Sequence, residues 1–385
     1  MVAVVYGFCI QIVLLALVYG GAAFVETRRA VYQPDAYFSI MAASSISDTA
    51  LTLLIFTGLF LSGVYIAAAE RADRRLRDVL ALRVVFAAWV VWSGFQVVRG
   101  DLLSDGQVVF SVLMLALVIR SRESVFIPVW GVGMAGVIVF TAAHLAVPES
   151  TPITNITLHT ALPIATLAPY TWLMRRISQI TLGWVRQGVR VLAVMLGFSG
   201  LLISVGDSGI PGMIVIFLSY LNLMGHSYRA LHDRNTNKTL AGHWLALGLV
   251  LLLFGGGLIG VLGAYPWLDI TAFLPLQAHL MRLAMMAVMV GMVNQVVAEL
   301  REENRRITGL LPFWCVATGM ICAALAAGGA ALVSYYAVNV FNIDATTAYS
   351  ALRPLLQLQM AAQGVVMAGL VMYALGFAAR RLPLR

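Results

Sequence analysis

Residues 252–293 read LLFGGGLIGVLGAYPWLDITAFLPLQAHLMRLAMMAVMVGMV. Two apolar runs, each close to the ~20 residues that cross a bilayer, flank a short segment holding Pro266 and Asp269. The second run has two ionisable side chains, His279 and Arg282. In hydrocarbon a backbone N–H or C=O has no water to bond, so each run has to satisfy its own backbone as a helix. The pattern repeats along the chain, with apolar stretches near 4–24, 47–69, 80–98, 107–120, 125–146, 157–174, 188–206, 210–225, 241–264, 271–297, 310–336 and 354–378. The expected fold is an all-α integral membrane protein, a twelve-helix transmembrane bundle.

Composition agrees. Of 385 residues, 61% are hydrophobic and 11% charged, against about 25% charged in soluble domains, and the mean hydropathy is +0.90. Disordered, collagen-like and disulfide-scaffold classes are excluded with the soluble one. Twelve spans of about 20 residues take roughly 240 residues and leave ~145 for loops and tails. No soluble domain fits in that remainder, so residues 1–385 are expected to form one transmembrane domain. The first 21 residues, MVAVVYGFCIQIVLLALVYGG, have no basic segment before the apolar run. They are expected to be a retained span rather than a cleaved signal.

Basic residues orient the bundle. With the N-terminus inside, ERADRRLRD, RSRES, RRISQITLGWVRQGVR, HSYRALHDRNTNK, ELREENRR and the tail ARRLPLR face the cytoplasm. Together with Arg83 they hold 20 of the 25 basic residues. Arg28, Arg29, Arg99 and Arg353 fall in outer loops, and Arg282 lies within a span. Both termini are then cytoplasmic, in a multi-pass protein of a bacterial-type inner membrane. The net charge of +8 follows from this bias and calls for no nucleic-acid partner. The bilayer itself is the first partner expected.

Ionisable groups at membrane depth are costly and are functional candidates by default. Even-numbered spans run from outside to inside, so Asp48, His159, His279 and Arg282 lie in the outer half. His144 and Asp207 close neighbouring spans on that side. His226, His232 and His243 sit at the inner rim. Arg282, three residues after His279, shares its helical face. Two readings of the pair stand. In one, His279 is an axial heme ligand and Arg282 reaches a propionate. In the other, His279 bonds a neighbouring helix and Arg282 pairs with a carboxylate such as Asp48. His159 lies in a span with Pro163 and Pro169, which frees backbone carbonyls and marks a bend or cavity. A metal there needs further ligands, for which His144 and His279 are candidates; alternatively His159 is an interfacial residue. Cys9, Cys315 and Cys322 lie at lipid depth and read as packing residues. No CxxCH, Walker, GxSxG or HExxH motif is present.

The segments LLFGGGLIGVLGAYPW (252–267) and LPLQAHLMRLAMMAVMVGMV (274–293) resemble helices 9 and 10 of the nitric oxide reductase branch of the heme-copper oxidase superfamily. PFWCVATGMICAALAAGGAALVSYY (312–336), LRPLLQLQMAAQGVVMAGLVMYALGF (352–377) and SDTALTLLIFTGLFLSGVYIAAAE (47–70) are similar to its eleventh, twelfth and second helices. The resemblance implies a catalytic-subunit-like fold in a respiratory or electron-transfer complex, with other membrane subunits, cytochromes or quinol as partners. It also implies that the ligand set is degenerate. The helix-2 histidine that binds low-spin heme falls on Asp48. The paired histidines after helix 7 fall within ISVGDSGIP (203–211). The His-x-His of helix 10 is reduced to His279, with Gln277 two before it and Met281 two after. His159 matches the helix-6 metal ligand without the residues expected to follow it. What this implies is a pseudoenzyme-like subunit, non-catalytic alone or keeping one b-type heme at most, on His279 with Arg282 and Asp48 beside it.

The alternative is a twelve-span secondary transporter of the major facilitator type. AERADRRLRD (69–78) sits where that family carries Gly-x-x-x-Asp-Arg-x-Gly-Arg, and Asp233-Arg234 is a weaker second copy. The glycines of the motif are missing.

Overall fold

The computed structural model describes residues 2–33, 46–69, 162–178, 210–231, 240–263, 273–300 and 310–379. Every regular element among them is helical: α1 (residues 2–32), α2 (Ile46–Ala69), α3 (Leu162–Ser178), α4 (Ile210–Leu231), α5 (residues 240–263), α6 (Phe273–Leu300), α7 (residues 310–340) and α8 (Ala345–Ala379). Among the described residues, six helices are long and apolar enough to cross a membrane: α1, α2, α5, α6, α7 and α8. The chain is therefore an all-α membrane protein. The spans expected at 80–98, 107–120, 125–146 and 188–206 lie outside the described residues.

α6 is the axis of the bundle. Its leucine-, methionine- and alanine-rich sequence is intrinsically helical, and it packs against α1, α2, α3, α5 and α7. Met281, Met289, Met292 and Val296 are fully buried. Helices in lipid gain little by hiding apolar surface from other apolar surface, so close backbone approach and polar contacts decide which faces meet. The glycines of α5 supply that approach. The backbone widens to π-helical over Leu252–Ile259, and its glycines face two neighbours in turn. A β-carbon on Gly255 would collide with Leu280 of α6. On Gly256 it would stand 2.9 Å from Met281 Cγ of α6 and 3.0 Å from Tyr220 Cε2 of α4; on Gly257 it would stand 2.8 Å from Phe217 of α4. α7 and α8 form a second close pair, in which Gly319 faces Val366 and Gly369 faces Val316.

The two largest boundary differences from the apolar stretches are in α1 and α8. α1 continues past residue 24 through Glu26, Arg28 and Arg29 to Tyr32, because its last turns pack on α8 and the Thr27 hydroxyl donates back to Ala23 O at 2.7 Å. α8 begins at Ala345 rather than near 354, since Asp344 caps it, accepting from Thr347 N at 3.0 Å. Arg28, Arg29 and Arg353 are thus helical residues rather than loop residues. Tyr349 of α8 ties the two ends together: its hydroxyl reaches Ala30 O at 2.7 Å and Val31 O at 2.6 Å, carbonyls that the end of α1 leaves unpaired.

Overpacking a close helix contact costs about 1–3 kcal/mol. Gly255→Val and Gly256→Val should therefore lower the melting temperature of the detergent-solubilised protein by several degrees. Gly225→Ala, where a β-carbon meets nothing within 4 Å, should leave it unchanged in the same scanning-fluorimetry series.

Candidate functional site

Three helices bring polar side chains together at the end of the bundle where α2 and α6 begin. Asp48 lies in the first turn of α2, where the helix dipole favours a carboxylate. His279 and Arg282 come from one face of α6. Asp48 Oδ1 stands 2.6 Å from His279 Nδ1, and Asp48 Oδ2 stands 3.4 Å from Arg282 Nη1. The side chains of Asp48, His279 and Arg282 keep only 15%, 20% and 20% of their surface exposed. Tyr19 of α1 completes the group from the π-helical turn Leu15–Gly20, its hydroxyl 3.4 Å from His279 Nε2.

The donor inventory assigns the bonds. A carboxylate only accepts, so Nδ1 carries the hydrogen given to Asp48. In the neutral ring Nε2 is then the acceptor facing the Tyr19 hydroxyl. Asp48 and Arg282 cancel in charge. Arg282 Nε is buried with no hydrogen-bond partner among the described residues, and Asp48 supplies the compensating charge at Nη1. Glu26 of α1 acts beside this group: its carboxylate accepts from Ile46 N at 2.5 Å and Ser47 N at 3.3 Å, capping α2.

Asp48, His279 and Arg282 thus meet, as their shared depth suggests. His144, His159 and Asp207 lie outside the described residues, as do His232 and the side chain of His226. His243 sits near the start of α5, its ring 5.5 Å from Phe313 and 6.4 Å from Trp314. Gln277 is buried and donates to Gly256 O at 3.2 Å, so it braces α6 on α5. Among the described residues no group of three or more His, Cys, Asp or Glu is placed to hold a metal ion. Sequence reasoning missed Tyr19, because a tyrosine in a first span carries no signal of its partner. It also missed the polar group at the far end of α6. There Glu299 Oε1 lies 3.8 Å from Arg176 Nε and accepts from Gln295 at 3.0 Å, while the Arg176 guanidinium sits 5.4 Å over the Trp172 ring.

The geometry can be tested against a heme. An axial imidazole coordinates iron at ~2 Å through one nitrogen and commonly donates the other N–H to a carboxylate. The Nδ1–Asp48 contact suits the second requirement. Nε2, however, faces the Tyr19 hydroxyl 3.4 Å away, and the two rings lie 6.1 Å apart, centroid to centroid. That packing does not fit an iron and its macrocycle on Nε2.

In comparison with known proteins, no family model matches the sequence, and no curated protein matches it.

What the arrangement does chemically is pair a carboxylate with a guanidinium and tie three helices together through one polar cluster. Removing one partner of a buried ion pair costs about 3–5 kcal/mol because the other charge is stranded. Asp48→Asn should therefore destabilise the solubilised protein more than Arg282→Gln with Asp48→Asn combined. Thermal unfolding of the two single variants and the double variant checks this, and additive losses would contradict the coupling.

Proposed function

We propose that the chain is a cofactor-free, oxidase-like subunit of a membrane electron-transfer complex, spanning a bacterial-type inner membrane twelve times with both termini cytoplasmic. The contact between Asp48 and His279 carries the proposal. By the resemblance, Asp48 stands at a low-spin heme ligand position on the second span, and His279 is what remains of the His-x-His on the tenth. A heme held between two such side chains separates their ligating atoms by about 4 Å, twice a metal–nitrogen bond, with the macrocycle between them. Here the two side chains touch at 2.6 Å. The ion pair with Arg282 fills the place of the cofactor and keeps the helix contact that the cofactor would otherwise bridge. Such a subunit is not catalytic alone. It supports cytochrome-bearing partner subunits, and quinol or lipid is the small molecule it would meet.

One observation favours a second reading, a secondary transporter of the major facilitator type. Asp48 comes from the first half of the chain and His279 and Arg282 from the second, and polar groups from both halves meeting at membrane depth are typical of a transport site.

The test is a reduced-minus-oxidised absorption spectrum with iron and copper analysis on the purified full-length protein. No heme band and no stoichiometric metal are expected, together with cross-linking to cytochrome-bearing membrane subunits in native membranes. A b-type heme near one per chain, lost in His279→Ala, would overturn the cofactor-free reading. Proton flux into proteoliposomes that is abolished by Asp48→Asn would move the assignment to the transporter.

A further inference from the structure

The positive-inside pattern leaves five of the 25 basic residues outside the inner segments: Arg28, Arg29, Arg99, Arg282 and Arg353. Arg282 is paired with Asp48. Three of the other four gather at one corner, where α1 ends and α8 begins. The Tyr349 hydroxyl on the Ala30 and Val31 carbonyls fixes the two helices there. The helices run antiparallel, so Arg353, one turn beyond Tyr349, stands level with the turn that carries Arg28 and Arg29. All three arginines are exposed, and none takes part in an ion pair among the described residues. The nearest carboxylates on these helix ends are engaged: Glu26 caps α2 and Asp344 caps α8.

We propose that this corner binds the phosphate headgroup of an anionic diacyl phospholipid. Guanidinium groups match phosphate oxygens in a two-pronged fork, and three without an ion-pair partner among the described residues make a candidate anion site. Their depth selects a lipid over a protein. Arg353 lies eight residues, about 12 Å, inside the start of α8, and the same stretches of the two helices carry exposed apolar side chains: Val25 and Tyr32 on α1 and Leu358 on α8 are 49%, 62% and 53% exposed. Gln357, one turn further in, is also exposed and adds a donor for a glycerol or ester oxygen. The acyl chains would lie along the apolar flanks below the arginines.

Native mass spectrometry of the delipidated full-length protein, titrated with dioleoyl phosphatidylglycerol or dioleoyl phosphatidylcholine, tests this. Each arginine near a membrane surface contributes about fivefold in affinity for an anionic lipid. The wild type should hold phosphatidylglycerol more than tenfold better than phosphatidylcholine. Arg28→Gln/Arg29→Gln/Arg353→Gln should lose most of that preference, while Arg175→Gln at the opposite end of the bundle should keep it. If the triple variant elutes as aggregate, Arg353→Gln against Arg353→Lys gives the same comparison, with the lysine variant retaining more binding. Equal binding of the two lipids, or a preference that survives in the triple variant, overturns the proposal. Displacement of the lipid by equimolar sn-glycerol 3-phosphate would also overturn it, in favour of a soluble phosphate. Binding of polyglutamate that the triple variant loses, without lipid preference, would overturn it in favour of an acidic protein.

Discussion

A guanidinium inside a membrane has to meet a carboxylate, and Arg282 meets Asp48 at 3.4 Å. The rest of the bundle is arranged around that demand. Arg282 belongs to α6, the helix with neighbours on most sides, so it cannot reach water by simple rotation of its helix. Asp48 stands at the first turn of α2, where Glu26 of α1 already bonds the free backbone N–H groups. The carboxylate is thus offered to α6 from a helix end held by α1. His279 and Tyr19 extend the same contact to α1 itself. Three helices share one polar junction, and its charges cancel locally.

The opposite end of α6 repeats the device with different residues. Glu299 is held by Arg176 of α3 and by Gln295 one turn before it. Between the two polar ends the contacts are methionine, leucine and alanine, whose packing in lipid discriminates weakly among partners. Register along α6 is therefore set at its ends, and distance from its axis is set by glycine. The π-helical stretch of α5 turns successive glycines toward α6 and α4, and Gln277 seals one of these contacts on Gly256 O. A second π-helical turn, in α1, carries Tyr19 to His279. Widened turns recur at functional sites because they re-aim a side chain without ending the helix.

The same physics accounts for the arginines at the far side of α1. Arg282 has a carboxylate and is largely buried; Arg28, Arg29 and Arg353 have none among the described residues and are exposed. An apolar-stretch reading assigns the last three to loops, because charge ends a hydropathy run. The helices continue through them because capping by Asp344, the Thr27 back-bond and the Tyr349 contact pay the backbone cost beyond the apolar layer. α8 alone spans 35 residues, more than the hydrocarbon core requires.

Sequence by itself determined that this is an all-α membrane protein, where the apolar part of each described span lies though not how far its helix continues past it, and that Asp48, His279 and Arg282 share one depth. Those properties are local: in lipid each segment must satisfy its own backbone, so an apolar run declares its helix without reference to any other. Tertiary structure decided that Asp48 touches His279 rather than facing it across a gap, that Tyr19 joins them, and that Gln277 braces α5 instead of facing the site. It also decided that Arg28, Arg29 and Arg353 share a corner. Hydrocarbon is nearly indifferent to which apolar faces meet, so hydropathy carries no record of the pairing. The partners were chosen by non-local terms, the ion pairs and the glycine approaches, which exist only once the helices are side by side.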